Sequence, residues 1–153
     1  MNSSPIHQAI EEAVIEVLEK MFFVSAVACT GAPAEPVWVE VAFQGDPPGR
    51  VLVQASSQAV IAIAANFLGL DSSEVEPRQV SEVAGELANM ICGTILSRLE
   101  STATFRLSPP RVLAGAPAPG DGPSSCIDTG DGLIAVQIET ESPICPLSAK
   151  SAS

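Results

Sequence analysis

Basic residues are scarce in this chain. Its 153 residues include seven Lys and Arg against eighteen Asp and Glu, which gives a net charge of −11. Nucleic-acid binding depends on cationic side chains that neutralise phosphates, and anionic membrane surfaces attract the same side chains. The composition therefore argues against both kinds of partner, and it does not identify a protein partner.

Histidine is nearly absent, and the cysteines are not paired in sequence. The single histidine, His7, falls in a predicted first helical turn, where we expect a solvated side chain, so histidine catalysis and a His-rich metal site are not indicated. No C-x-x-C pair occurs. We expect the four cysteines to be buried reduced thiols of a cytoplasmic protein, although a disulfide between Cys126 and Cys145 stays open. They are Cys29, Cys92, Cys126 and Cys145.

Long apolar runs and targeting signals are also missing. No stretch of about 20 uninterrupted apolar residues is present, which argues against a membrane span. Residues 1–9 lack a basic region followed by an apolar one, so they do not resemble a signal peptide. The 46% hydrophobic and 16% charged content is typical of a packed globular chain. We predict one domain over residues 1–147, with a flexible loop near 114–125 and a disordered tail at 148–153.

The spacing of apolar residues predicts three helices. Ser4 and Pro5 form a typical helix start, and Ser56 or Ser57 can cap the second helix. Gly69 is placed to end that second helix. The predicted helices run from Pro5 to Lys20, from Ser56 or Ser57 to Gly69, and from Pro77 to about Glu100.

Alternating and β-branched segments predict strands around these helices. Gly45-Asp-Pro-Pro-Gly49 is typical of a turn, so the strands on either side of it should form an antiparallel hairpin. The order of elements indicates an α+β fold with an antiparallel or mixed sheet against the helices. The predicted strands are Phe22–Thr30, Pro36–Gln44, Arg50–Ala55, Ser101–Leu107, Arg111–Ala114 and Leu133–Glu139.

The third helix has two distinct faces. Its apolar residues project within one arc and predict the core face. These residues are Val80, Val83, Ala84, Leu87, Ile91 and Thr94. A polar stripe, made of Glu82, Glu86, Asn89 and Gly93, follows spacings of four, three and four. Glu86 and Asn89 are i,i+3 neighbours, with Cβ atoms about 5–6 Å apart, so both side chains can reach one target.

Two features of this helix reduce its own stability. Glu82 and Glu86 are like charges at i,i+4, and Gly85 and Gly93 each cost about 1 kcal/mol relative to Ala. Glycine on an exposed stripe allows the backbone of a partner to come close. Ordinary solvent exposure and close packing against a strand explain the same residues equally well, and periodicity alone names no reaction.

Four segments resemble the CheC/CheX/FliY chemotaxis phosphatases, most closely the single-site CheX branch. Glu86-Leu-Ala-Asn89-Met-Ile-Cys-Gly93 looks like the E-x-x-N motif with its trailing glycine. Three other segments resemble the end of the first helix, a strand followed by a helix, and a proline-containing strand after the motif. They are Val17–Phe23, Gly49–Val60 and Leu107–Gly115, so the resemblance covers most of residues 5 to 140.

The resemblance implies a mainly antiparallel sheet flanked by three helices, a dimer, and hydrolysis of the aspartyl phosphate on a CheY-like response regulator. It implies that Asn89 orients the attacking water and that Glu86 contacts a lysine of the regulator. Glu82, Met90 and Gly93 would contact the partner. The chain needs no metal of its own, because the Mg²⁺ belongs to the regulator. The family pattern has Asp or Ser where this chain has Glu82. Alternatives are a regulator-binding or flagellar-switch adaptor without turnover, and a phosphatase outside chemotaxis.

Overall fold

A computed structural model describes residues 5–45, 47–99, 104–118, 120 and 122–141. These residues form an α+β fold of three α-helices and one seven-stranded sheet. The helices are α1 (Pro5–Met21), α2 (Ser57–Leu68) and α3 (Pro77–Leu99). The strands are β1 (Val27–Cys29), β2 (Pro36–Gln44), β3 (Gly49–Ser56), β4 (Arg106–Leu107), β5 (Arg111–Leu113), β6 (Ser124–Asp128) and β7 (Leu133–Thr140).

The sheet has the order β1-β6-β7-β3-β2-β4, and β5 also pairs with β2. Every pairing is antiparallel. The predicted hairpin around Gly45–Gly49 is confirmed, with Val39 opposite Val53 and Phe43 opposite Gly49. The predicted fold class, with its mainly antiparallel sheet and three helices, is therefore correct.

All three helices cover the same face of the sheet. Alternate residues of β2, β3 and β7, such as Val39, Val53 and Val136, are buried in one cluster with residues from every helix. The period of two along each strand directs these side chains to one face. Burial of a continuous apolar face against helices is the main stabilising term for such a layered domain. α3 is thus held on a rigid support.

The boundaries of α2 follow from its capping residues. The Ser56 hydroxyl accepts a hydrogen bond from the Ala59 backbone N–H, which otherwise has no partner at a helix start. Gly69 ends the helix with φ 71°, a left-handed conformation that favours glycine. Both were predicted from the sequence. The predicted cap at Ser4 lies outside the described residues.

Several predicted strands were too long or were missed. Only Val27–Cys29 of the predicted strand Phe22–Thr30 is a strand, because Phe22 to Ser25 form the chain reversal that follows α1. In the predicted strand Ser101–Leu107, only Arg106 and Leu107 pair with β2, and residues 101–103 lie outside the described part. Strand β6 was not predicted at all.

The Ala/Pro/Gly-rich segment reaches the sheet through backbone carbonyls. Gln137 on β7 donates from Nε2 to the carbonyl oxygens of Gly120 (3.1 Å) and Gly122 (2.9 Å). The Ile138 N–H donates to the Pro123 carbonyl at 3.1 Å. The predicted loop therefore ends at Pro123 rather than Ser125, since the next residue begins β6. The predicted tail at 148–153 lies outside the described residues.

The sheet face opposite the helices carries a charged cluster, made of Glu40, Arg50, Arg111 and Glu139. Arg50 donates to Glu40 at 2.7 Å and to Glu139 at 2.9 Å, and Arg111 donates to Glu40 at 2.8 Å. The guanidinium groups, Arg50 first, hold the pKa of Glu40 below its ordinary value of 4.5. Neighbouring strands β2, β3, β5 and β7 are thereby joined by side chains as well as by backbone hydrogen bonds.

Candidate functional site on the third helix

Helix α3 buries a wider face than its sequence pattern predicted. Val83, Leu87 and Ile91 lie in the core as expected, while Val80 and Thr94 are only partly buried. Ala88 and Cys92 are also fully buried, although they lie outside the predicted arc. The helix contacts α1, α2, β2 and β3, so most of its circumference is used for packing. Only a narrow strip remains for a partner.

The polar stripe forms that strip. Glu82 and Glu86 are exposed, and Asn89 and Gly93 are partly exposed. Within the described part of the chain, neither Glu86 nor Asn89 uses its side chain in a hydrogen bond or an ion pair. Both polar groups therefore point away from internal partners and can bind a group that approaches from solvent.

Arg98 joins α3 to α1 at the surface. It donates to Glu12 at 3.0 Å and makes a second, short ion pair with Glu16. The hydrogen bond from Arg98 lowers the pKa of Glu16 from its ordinary value of 4.5. These contacts link the last turn of α3 to the middle of α1. Exposed ion pairs add little stability, so the direction of the stripe is set mainly by the buried face of α3.

The two helical glycines have different surroundings. A Cβ placed on Gly85 would lie 3.4 Å from the Pro110 Cγ, so Gly85 packs against the segment that leads into β5. A Cβ placed on Gly93 would have no atom of the described residues within 4 Å. Close packing within the chain, one of the two explanations open from sequence, therefore applies to Gly85. Gly93 has no such packing contact among the described residues.

Pro110 is a neighbour of the site that the helical pattern could not reveal. Gly85 precedes Asn89 by one turn on the same side of α3, and Pro110 packs against Gly85. β5 consequently flanks the stripe on the side of Asn89. The only sequence signal for this proximity was the proline-containing segment Leu107–Gly115, which resembles the strand after the family's motif.

Met90 differs from its neighbours in the predicted partner surface. It is partly buried and packs against the apolar core, whereas Glu82 and Glu86 are exposed. Part of the Met90 side chain thus has a structural role, and only the remaining surface is available to a partner. A flexible thioether suits both roles, because it adapts its shape to either neighbour.

Asn66 on α2 has a structural role. Its Nδ2 donates to the Phe22 carbonyl oxygen at 2.9 Å and so closes the chain reversal after α1. Ile63 occupies the position three residues earlier and is buried. α2 therefore carries neither a carboxylate nor an unbonded amide where a second E-x-x-N pair would lie.

A cavity of about 620 Å³ lies apart from the polar stripe. Phe23, Asn66, Asp71 and Asp131 are among the residues that line it. Phe23 has φ 58°, which is unusual for a residue other than glycine, and its side chain is 79% exposed. None of the stripe residues lines this cavity.

The residues that the structure describes also bear on metal binding and on the single histidine. Among them, no group of three or more His, Cys, Asp or Glu side chains is placed to hold a metal ion. His7 is not the solvated residue that was predicted, because it is partly buried and its Nδ1 lies 3.0 Å from the Ser125 hydroxyl. No helix in the described ranges is both long and apolar enough to cross a membrane.

Known proteins share the sequence pattern and the fold of this chain. Residues 37–129 match the model of the family described as chemotaxis phosphatase CheX. The CheX structure from Desulfovibrio desulfuricans is similar over 90% of this chain and 100% of its own length, with 22% identity and a TM-score of 0.71. CheX from Vibrio vulnificus is 19% identical over 92% of this chain and 100% of its own, with a TM-score of 0.70.

A structure of a complex is also similar. The CheX–CheY–BeF₃–Mg²⁺ complex from Borrelia burgdorferi contains a chain that is 16% identical, with 88% of this chain and 97% of that chain covered and a TM-score of 0.65. No curated protein sequence matches the chain.

Proposed function

This chain belongs to the chemotaxis phosphatase CheX family, and on that premise we propose that it hydrolyses the aspartyl phosphate of a CheY-like response regulator. The observation that carries the proposal is the placement of Glu86 and Asn89. They lie one turn apart on the exposed stripe of a helix whose other faces are packed, and their polar groups have no partner within the described residues. The Borrelia burgdorferi relative was solved in complex with CheY, which supports the choice of partner.

Asn89 positions the attacking water in this mechanism. An amide accepts a hydrogen bond from water through its oxygen and donates through its NH₂, and it changes no protonation state. The water attacks phosphorus in line, the bond between phosphorus and the aspartate oxygen breaks, and inorganic phosphate leaves. The water's proton ends on that phosphate. Phosphoryl transfer depends mainly on positioning and charge stabilisation, so one well-placed amide is sufficient and no nucleophilic side chain is required.

Glu86 fixes the docked geometry. Its exposed carboxylate forms a charge-assisted hydrogen bond to a lysine of the regulator. Glu82, Met90 and Gly93 extend the contact along α3, with Gly93 accepting a close approach of the partner's backbone. The Mg²⁺ belongs to the regulator and lowers the negative charge around the phosphoryl group there, so this chain contributes no metal ligand.

An adaptor that binds a regulator or the flagellar switch without turnover is the second candidate. Docking needs the acidic and apolar surface of the stripe, but it does not need an amide that orients water. The unbonded amide of Asn89 therefore favours catalysis. A regulator outside chemotaxis would use the same chemistry, and the choice of regulator is the point at which the two phosphatase roles differ.

The function is tested by mixing the chain with a phosphorylated regulator and Mg²⁺ and following the loss of phosphate. Asn89→Ala should lower turnover by about 100-fold, the order expected when a reacting group is no longer positioned, while regulator binding persists. Gln8→Ala is the matched control, because Gln8 is an exposed amide on α1. Full turnover by Asn89→Ala would overturn the mechanism, and binding without any turnover by the unmodified chain would identify the adaptor.

Glu86 is tested in the same assay. Glu86→Gln should raise the regulator concentration needed for half-maximal rate, since the carboxylate that contacts the lysine is lost. Glu19→Gln removes one exposed negative charge from α1 and controls for the change in net charge. Equal effects of the two variants would mean that Glu86 acts only through the net charge of the protein and not through a specific contact.

We also propose that the chain forms a homodimer, as the family resemblance implies. The edge strands β1, β4 and β5 present backbone groups that can pair across chains. Light scattering should give twice the mass of the chain at micromolar concentration. A single-chain mass at all concentrations tested would reject the dimer and leave the proposed activity untouched.

A further inference from the structure

Two cysteines that are distant in sequence lie next to each other on the outer sheet face, the one away from the helices. Cys29 on β1 is the register partner of Cys126 on β6. The Cys29 thiol donates to the Cys126 Sγ, and the two sulfur atoms are 3.1 Å apart. Both residues are only partly buried. Buried thiols were expected from the sequence, and a different pair, Cys126 with Cys145, was left open; Cys145 lies outside the described residues.

The backbone geometry of this pair suits a disulfide. Directly opposite residues of antiparallel strands have Cα atoms about 4.5–5.5 Å apart, and disulfides span Cα distances of about 4.4–6.8 Å. The sulfur atoms need to approach by only about 1 Å to reach bonding distance. Rotation about the side-chain bonds supplies that movement, so the strands can keep their register.

We propose that Cys29 and Cys126 form a reversible disulfide when the chain meets a low-molecular-weight disulfide such as oxidised glutathione. A cysteine thiolate attacks one sulfur of oxidised glutathione, which breaks the S–S bond and releases the first reduced glutathione. The second cysteine then attacks the mixed disulfide at the protein sulfur and releases the second. Two protein thiols are oxidised, one glutathione disulfide is reduced, and the two protons end on the released glutathione thiols.

Position in the sheet determines which cysteine reacts first. Cys29 lies on the edge strand β1, whereas Cys126 lies on β6 between β1 and β7, so we assign the first attack to Cys29. Burial raises the pKa of the Cys126 thiol to about 12, and we expect a slow reaction because the thiolate is the attacking species. The Cys92 thiol, which is fully buried in the core and has its pKa raised to about 12 by burial, stays reduced.

The disulfide would act on a short edge strand of the sheet. β1 has three residues and lies at the edge, with β6 as its only partner among the described strands. A bond to β6 closes a long covalent loop and restricts the unfolded chain. It also ties the chain reversal after α1, and with it the exposed Phe23, to the sheet. Oxidation should therefore raise the thermal midpoint by several degrees and slow amide exchange in β1.

The experiment treats the full chain with oxidised glutathione and maps its disulfides by mass spectrometry, first in the unmodified protein and then in Cys145→Ser. In both we expect a peptide pair joined through Cys29 and Cys126, reversed by dithiothreitol. In Cys145→Ser, one reactive thiol, Cys92, should remain after denaturation. Cys92→Ser should oxidise at the unmodified rate, and Cys126→Ser should stop at a glutathione adduct on Cys29.

Three results would overturn the proposal. They are a bond between Cys126 and Cys145 in the unmodified chain, a glutathione adduct on Cys29 that never resolves, and complete resistance of both thiols. The thermal midpoint gives a second reading: a bond that forms but lowers the midpoint would mean that the strands must distort to make it. None of these measurements depends on phosphatase activity, so the inference stands or fails separately from the proposed function.

Discussion

The two glycines of α3 differ in what surrounds them, and at the residue scale this difference separates a packing role from the docking role that we propose for Gly93. Gly85 faces Pro110, whereas Gly93 faces open space on the polar stripe. Both lower the stability of the helix, because glycine loses more backbone entropy on folding than any other residue. No packing contact among the described residues offsets the cost at Gly93, which agrees with the docking role proposed for it.

Gly93→Ala should therefore have opposite effects on stability and on docking. The free energy of unfolding should rise by about 0.5–1 kcal/mol, as expected when Ala replaces Gly inside a helix. Regulator binding should weaken, because the new methyl group stands where the partner's backbone approaches. Urea unfolding and a binding titration measure the two effects.

Gly85→Ala is the control for this substitution. Its Cβ would contact Pro110 at ordinary van der Waals distance, away from the partner, so regulator affinity should not change. If Gly93→Ala binds the regulator as well as the unmodified chain does, Gly93 is not a docking residue.

At the scale of elements, α2 depends on a capping hydroxyl. Ser56 is 3% exposed and accepts from the Ala59 N–H at 3.2 Å. Ser56→Ala should lower the free energy of unfolding by about 1 kcal/mol, because the backbone donor loses its partner in a buried place. Chemical denaturation measures the loss.

The neighbouring hydroxyl provides the comparison. Ser57 donates to the Glu35 carbonyl in an exposed position, where water can replace it, so Ser57→Ala should cost less than Ser56→Ala. Equal losses would mean that general packing near this turn, rather than the cap, stabilises α2.

Element prediction from this sequence succeeded where the signal is local. Ser56, Gly69 and the turn at Gly45–Gly49 fix their elements through capping and turn chemistry that neighbouring residues determine. β6 was missed because Ser124-Ser-Cys-Ile-Asp128 contains few β-formers, and it becomes a strand by pairing with β1 on one side and β7 on the other. Because the strand depends on this tertiary pairing, its five residues give only a weak sequence signal for a strand.

The polar stripe was predictable for the same reason, since the period of 3.6 residues sets which side chains share a face of a helix. The contacts of Gly85 with Pro110, of Cys29 with Cys126 and of Asn66 with Phe22 were not. Each joins residues that local patterns treat separately, and only the assembled fold brings them together.

At the scale of the whole molecule, the charged cluster on the outer sheet face makes stability depend on pH. The pKa of Glu40 is lowered in the folded chain, so ionised Glu40 stabilises the fold above its ordinary pKa of 4.5. That contribution is lost as the pH falls through the lower, folded value. The Glu40 side chain is 14% exposed, which limits screening by solvent.

Glu40→Gln should lower the free energy of unfolding by about 1–2 kcal/mol at pH 7, the order for hydrogen bonds to a charged group. The difference from the unmodified chain should shrink as the pH drops below 4.5. Urea unfolding across this range measures it, with the exposed Glu19→Gln as control. A difference that stays constant at low pH would show that ionisation of Glu40 is not the source.

The hydrogen bond from Asn66 to the Phe22 carbonyl has a consequence for the number of regulator molecules that one chain can bind. Because that amide is committed to the fold, α2 adds no second Glu–Asn pair, and under the proposed function the stripe on α3 gives each chain one regulator site. A binding curve should then be hyperbolic and saturate at one regulator per chain. If two chains associate, bivalency would come from the assembly rather than from within the polypeptide, and it would change with protein concentration.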